Sequence, residues 1–75
     1  MEKYAKVCDF VVDFELGEFY VQIEGKNVAK GRIEVETEKI HYKTEIHDSD
    51  FYNYITHMCR RASEQLRSAR RESLL

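Results

Sequence analysis

Between residues 7 and 47 apolar and polar side chains alternate with a period of two, the signature of strands that bury one face. In a first run, 7–16, Cys8, Phe10, Val12 and Phe14 share one face and Asp9, Val11, Asp13 and Glu15 the other. A second run, 18–24, sets Phe19, Val21 and Ile23 against Glu18, Tyr20, Gln22 and Glu24. In the third, 28–36, Ala29, Gly31, Ile33 and Val35 oppose Lys30, Arg32, Glu34 and Glu36. The fourth, 39–47, turns Ile40, Tyr42, Thr44 and Ile46 inward and His41, Lys43, Glu45 and His47 outward.

Tight turns between these runs set an expected register. A two-residue loop at Leu16–Gly17 pairs Glu15 with Glu18, Phe14 with Phe19 and Phe10 with Ile23. A three-residue loop at Gly25–Lys26–Asn27, with Asn27 left-handed, pairs Ile23 with Ala29 and Phe19 with Ile33. A turn at Thr37–Glu38, which lacks the usual glycine, pairs Val35 with Ile40 and Ile33 with Tyr42. Apolar residues meet apolar residues in all three hairpins, and a one-residue slip would mix the faces.

After His47 the period lengthens. Asp48, Ser49 and Asp50 offer N-cap oxygens and favourable charge for a helix start. Phe51, Ile55, Met58, Ala62, Leu66 and Ala69 then recur on one stripe, flanked by Tyr54, Cys59 and Gln65. The expected fold is α+β: a four-stranded antiparallel β-meander, order 1-2-3-4, covered on one face by a single C-terminal α-helix over 50–72 (ββββα). Its helix-facing layer is expected to hold Phe10, Val12, Phe14, Phe19, Val21, Ile23, Ile33, Ile40, Tyr42, Ile55, Met58 and Ala62. At ~1.5 Å per residue the helix would span about 34 Å, more than the ~26 Å of an eight-residue strand, so its end should overhang the sheet.

Length and composition narrow the class without naming a function. Seventy-five residues make one small domain, and 43% hydrophobic residues exclude a disordered tail. No apolar run approaches the roughly 20 residues of a membrane-spanning helix. The start of the chain lacks the basic-then-apolar pattern of a secretory leader. Two cysteines, Cys8 and Cys59, are too few for a disulfide scaffold, so reduced thiols and a cytoplasmic location are expected.

Catalytic, cofactor and metal chemistry find no support in the spacing, and neither an enzyme nor a bound cofactor is expected. His41, His47, His57, Cys8 and Cys59 lack the paired spacing of zinc ligands, and Cys8 faces the opposite side from His41 and His47. His57 and Cys59 lie two apart on a helix and share no face. N-capping accounts for Ser49 beside Asp48. No glycine-rich phosphate loop is present, and a meander with one helix offers no deep pocket.

Charge is distributed unevenly. The net charge is −2, yet residues 1–56 hold 7 Lys/Arg against 12 Asp/Glu, while residues 57–75 hold 5 Arg against 2 Glu. On the outer face of the first two strands Asp9 is expected opposite Glu24 and Glu15 opposite Glu18, like charges across a ladder, with Asp13 diagonal to both loop glutamates. Val7, Val11 and Tyr20 stand among them. Strands three and four look neutralised, with Lys30 near Glu45 and Glu36 near Lys39. A charged edge strand resists aggregation; the same acids, Asp9, Asp13, Glu15, Glu18 and Glu24 with Tyr20, also fit a patch for a partner protein with a basic surface.

Two other surfaces compete with that patch. Arg60, Arg67 and Arg71 form a helical stripe flanked by Arg61 and Arg70, an alternative contact for nucleic acid or a partner, although Glu64 can pair with Arg60 and Arg67 and the cations also complement the helix dipole. Leu66, Ala69, Leu74 and Leu75 on the overhanging end offer a seam for a homodimer.

In length, class and charge the chain resembles the small single-domain inhibitors encoded by phages and other mobile elements, anti-CRISPR proteins among them. The resemblance covers no alignable segment and implies an inhibitor or adaptor. The strand–strand–strand–helix order is also similar to double-stranded-RNA-binding domains, but their first helix is not expected here. Asp48 and Asp50 stand where that family places lysines. The expected function is therefore a non-enzymatic protein-binding module.

Overall fold

The computed structural model describes residues 2–74 and the side chains of residues 3–69. Six elements follow one another: α1 (Glu2–Val7), β1 (Cys8–Asp13), β2 (Glu18–Ile23), β3 (Lys26–Glu34), β4 (Lys39–Thr44) and α2 (Ser49–Leu74). The strands form one open antiparallel sheet in the order β1-β2-β3-β4, so the α+β meander with its C-terminal helix stands. Its long axis, 40 Å, matches the ~39 Å expected of a 26-residue helix.

One element was not foreseen. The six-residue α1 precedes the sheet, contrary to the expectation of no helix ahead of the strands. So short a helix is not stable alone, and long-range contacts hold it. Tyr4 packs edge-on against Phe51 with ring centroids 5.1 Å apart, and its hydroxyl donates to Asp48 Oδ2 at 2.5 Å.

The faces of the strands are as expected, but every register is displaced by two residues. In β1–β2, Phe10 faces Val21, Val12 faces Phe19 and Cys8 faces Ile23. The connecting loop is four residues, 14–17, rather than Leu16–Gly17 alone. Gly17 N donates to Asp13 O at 2.8 Å, and Gly17 O accepts from Ile33 N at 2.8 Å. Phe14 leaves the ladder and is 45% exposed, which removes it from the helix-facing layer. In β3–β4, Ile33 faces Ile40 and Gly31 faces Tyr42, again with four loop residues, 35–38. The two loops share a design: the fourth residue is left-handed, Gly17 (φ 72°) in one and Glu38 (φ 60°) in the other.

The middle hairpin reaches the same displacement by another route. Its turn is two residues, with positive φ at Glu24 (53°) and Gly25 (82°) rather than at Asn27. Ile23 therefore faces Lys26 and Gln22 faces Asn27, and a bulge then brings Val21 opposite Ala29 and Phe19 opposite Gly31. Val28 is the additional residue, and both Val28 and Ala29 are buried. The bulge returns the apolar set of β3 to the helix side, which a plain two-residue turn would have sent to solvent.

Helix α2 starts where Asp48 Oδ1 accepts from Asp50 N at 3.3 Å and Asp48 O from Tyr52 N at 3.0 Å. Its stripe of Phe51, Tyr54, Ile55, Cys59, Ala62 and Leu66 is buried with Phe19, Val21, Ala29, Ile33 and Val35 of the sheet side and Tyr4 of α1. Cys59 and Tyr54, expected to flank the stripe, lie within it. Leu66 is 1% exposed; it completes the core and is not available to the expected dimer seam. Ala69 is exposed, and the side chains of Leu74 and Leu75 lie outside the described residues.

Candidate functional site

The side of the sheet away from α2 carries the candidate residues, and the true register reorders them. Asp13 faces Glu18 directly, Asp9 faces Gln22 and Val11 faces Tyr20. The expected oppositions of Asp9 to Glu24 and Glu15 to Glu18 are thus both replaced, each by the two-residue displacement. Asp9, Asp13, Glu18 and Tyr20 share the outer face, Glu15 sits in the 14–17 loop and Glu24 in the turn at the opposite end of β2. All six are exposed.

Asp13 has a structural duty besides its charge. Its Oδ1 accepts from Glu15 N at 2.9 Å and from Leu16 N at 3.2 Å, which fixes the loop that follows. In that loop Phe14 and Leu16 (64% exposed) are open to solvent, and on the outer face of the strands so are Val11 (37%) and Tyr20 (39%). The β1–β2 half of the face is therefore acidic and partly apolar.

The β3–β4 half is not the neutralised surface the sequence predicted. Lys30 faces Lys43, Arg32 faces His41 and Glu34 faces Lys39. Glu45 instead pairs with Lys26 at 3.3 Å, and Glu34 Oε1 lies 3.4 Å from His41 Nε2. A hydrogen bond from Thr37 lowers the Glu34 carboxyl below the usual range. The acidic and basic halves meet along β2–β3, where Glu18 faces Arg32 and Tyr20 faces Lys30. A shallow, open depression of about 690 Å³ spans the junction.

The helical arginines are differently placed. Arg67 binds Glu38 through its guanidinium and also reaches Val35 O at 3.5 Å, so it clamps the 35–38 loop rather than pairing with Glu64. Its hydrogen bond, and then its charge, hold the Glu38 carboxyl below the usual range. Arg60 is exposed; the side chain of Arg71 lies outside the described residues.

The cysteines are packing residues. Burial pushes the Cys59 thiol up to about 12 and, with the Asp9 charge, raises that of Cys8. Thiols so shifted are poor nucleophiles near neutral pH. Among the described residues no group of three or more His, Cys, Asp or Glu side chains is arranged to hold a metal ion. Among the described residues, too, no helix is long and apolar enough to cross a membrane.

Comparison of the chain with known protein families, with curated proteins and with solved structures finds no match.

Proposed function

We propose that this chain is a non-enzymatic protein-binding module, an inhibitor or adaptor that engages a basic surface of a partner protein through the acidic β1–β2 half of its outer sheet face. The observation that carries the reading is the direct opposition of Asp13 and Glu18, two exposed like charges on neighbouring strands, beside the exposed apolar pair Val11 and Tyr20. Like charges across a ladder are unfavourable, and in the free domain Arg32 opposite Glu18 and the loop amides on Asp13 Oδ1 offset this only in part. A partner offering Lys or Arg around an apolar centre would relieve the repulsion and cover the apolar area.

The rival reading, nucleic-acid contact through Arg60, Arg67 and Arg71, is weakened by the engagement of Arg67 with Glu38. Affinity capture from the native host tests the choice with Asp9→Lys combined with Glu18→Lys. That pair spares Asp13 and therefore the loop it caps. Loss of the captured protein by the double reversal is the expected result. Equal retention by wild type and variant, or capture that depends on nucleic acid, would overturn the reading.

A further inference from the structure

From β1 to β4 the outer face runs Asp13, Glu18, Arg32, His41 in one row and Val11, Tyr20, Lys30, Lys43 in the next. The first row is two acids followed by Arg32 and His41, the latter 3.4 Å from Glu34 Oε1 of its own copy; reversed, it sets Glu18 against Arg32 and Asp13 against an imidazole. The second sets two exposed apolar side chains against two lysines that face each other, neither of them in a salt bridge among the described residues.

From this geometry we infer that two copies of the chain associate outer face to outer face about a two-fold axis parallel to the strands. Such an axis exchanges β1 with β4 and β2 with β3 while keeping each row over its counterpart. Asp13 then lies over His41 of the second copy and Glu18 over its Arg32, and the same contacts recur by symmetry. In the next row Val11 meets the aliphatic stem of Lys43, and the Tyr20 ring meets Lys30, a cation over an aromatic face. The like-charge pairs Asp13–Glu18 and Lys30–Lys43, unfavourable within one copy, each gain opposite charge or apolar cover from the other. Two twisted sheets pack in this way about 10 Å apart, with strand directions within roughly 30°.

The extent of the face sets the strength. Four strands about 4.8 Å apart and six residues of ~3.3 Å each give a patch of about 19 by 20 Å, roughly 400 Å² a side, which is below the ~1,000 Å² total of a stable interface and in the range of transient contacts. The dimer is therefore weak, concentration-dependent and salt-sensitive. It goes beyond the partner reading and covers the same acids, so self-association and partner binding exclude each other.

Sedimentation equilibrium of the full chain tests the dimer without any partner, so its failure leaves the partner reading standing. At low salt and millimolar chain the mass should rise from 9.0 kDa toward twice that value, and at about 1 M salt, where the Debye length is ~3 Å, it should fall back. Glu18→Arg and Arg32→Glu should each give monomer, and the double exchange should restore the dimer, with circular dichroism confirming the fold. The wild-type chain supplies a second measurement: zero-length carbodiimide coupling of isotopically labelled and unlabelled copies should join Glu18 or Asp13 of one to Lys30 or Lys43 of the other. A wild-type chain that stays monomeric, a dimer indifferent to both single exchanges, a double exchange that stays monomeric while folded, or inter-copy links confined to other residues would each overturn the inference.

Discussion

Phe14 and Phe19 sit one loop apart and have opposite fates. Phe19 is 2% exposed and stacks on Phe10 with ring centroids 5.2 Å apart, whereas Phe14 stands in solvent. Phe19→Ala should cost about 3–5 kcal/mol, enough to unfold much of so small a domain, and Phe14→Ala under ~1 kcal/mol. Denaturant titration of both variants checks this; equal losses would restore the tight-loop register. Tyr4 and Asp48 give a second test through pH. Donation from the Tyr4 hydroxyl, joined by the Asp50 amide, holds the Asp48 carboxyl below its usual range, and the same bond is the first cause that raises Tyr4 to about 12. The folded chain thus binds the Asp48 proton more weakly than the unfolded chain. That contribution is present above the ordinary carboxylate pKa of about 3.9 and is lost as pH falls through the lowered value. The folded chain binds the Tyr4 proton more tightly, so its contribution is present below about 10 and is lost as pH rises toward 12. Thermal melts of wild type and Tyr4→Phe should therefore differ most across the middle of the pH range and converge at both ends. Parallel curves would mean that the bond does not hold α1.

At the scale of the element, alternation tells which face a strand residue takes but not which residue it meets. A two-residue displacement preserves every face, and that is why the apolar assignments within the strands stood while three registers, and Phe14 with them, did not. Loop length decided the rest, and its signals were small: Gly17 closes its loop as fourth residue rather than second, and Glu38 does the same without being glycine because Arg67 holds it from the helix. The bulge at Val28 has one mark in the alternation, the adjacent apolar pair Val28–Ala29, which a strict period of two passes over. Helix α1 spans fewer than two turns, too short for a period to show, and its partners lie 44 residues away in sequence. The left-handed residues also offer a direct test. Glu24 and Gly25 form a turn for which Asn-Gly is the favoured pair, so Glu24→Asn should stabilise the domain by about 1 kcal/mol and raise Tm by several degrees. A lowered Tm would place the turn elsewhere. Gly31 tolerates no such change: a Cβ there would lie 2.1 Å from His41 O, which holds β3 and β4 in close approach.

For the whole molecule, charge is organised more sharply than composition reveals. The acidic character of residues 1–56 and the arginines of the helix were legible in the sequence, as were Asp9, Asp13, Glu18 and Tyr20 on one face. Glu15 and Glu24 fell out of that face because they belong to loops. The basic half, Lys30, Arg32, His41 and Lys43, was hidden by a register that paired Lys30 with Glu45. The domain therefore presents an open sheet face with acid on β1–β2 and base on β3–β4, backed by a helix whose Arg67 serves the fold. The most direct measurement of the functional account is the association rate of the captured partner against salt, for wild type and for Asp9→Lys with Glu18→Lys. Steering by the acidic half predicts a wild-type rate that falls steeply as salt rises, and a double reversal that associates at least tenfold more slowly at low salt. Equal rates for the two proteins across the salt series would contradict the acidic half as the binding site.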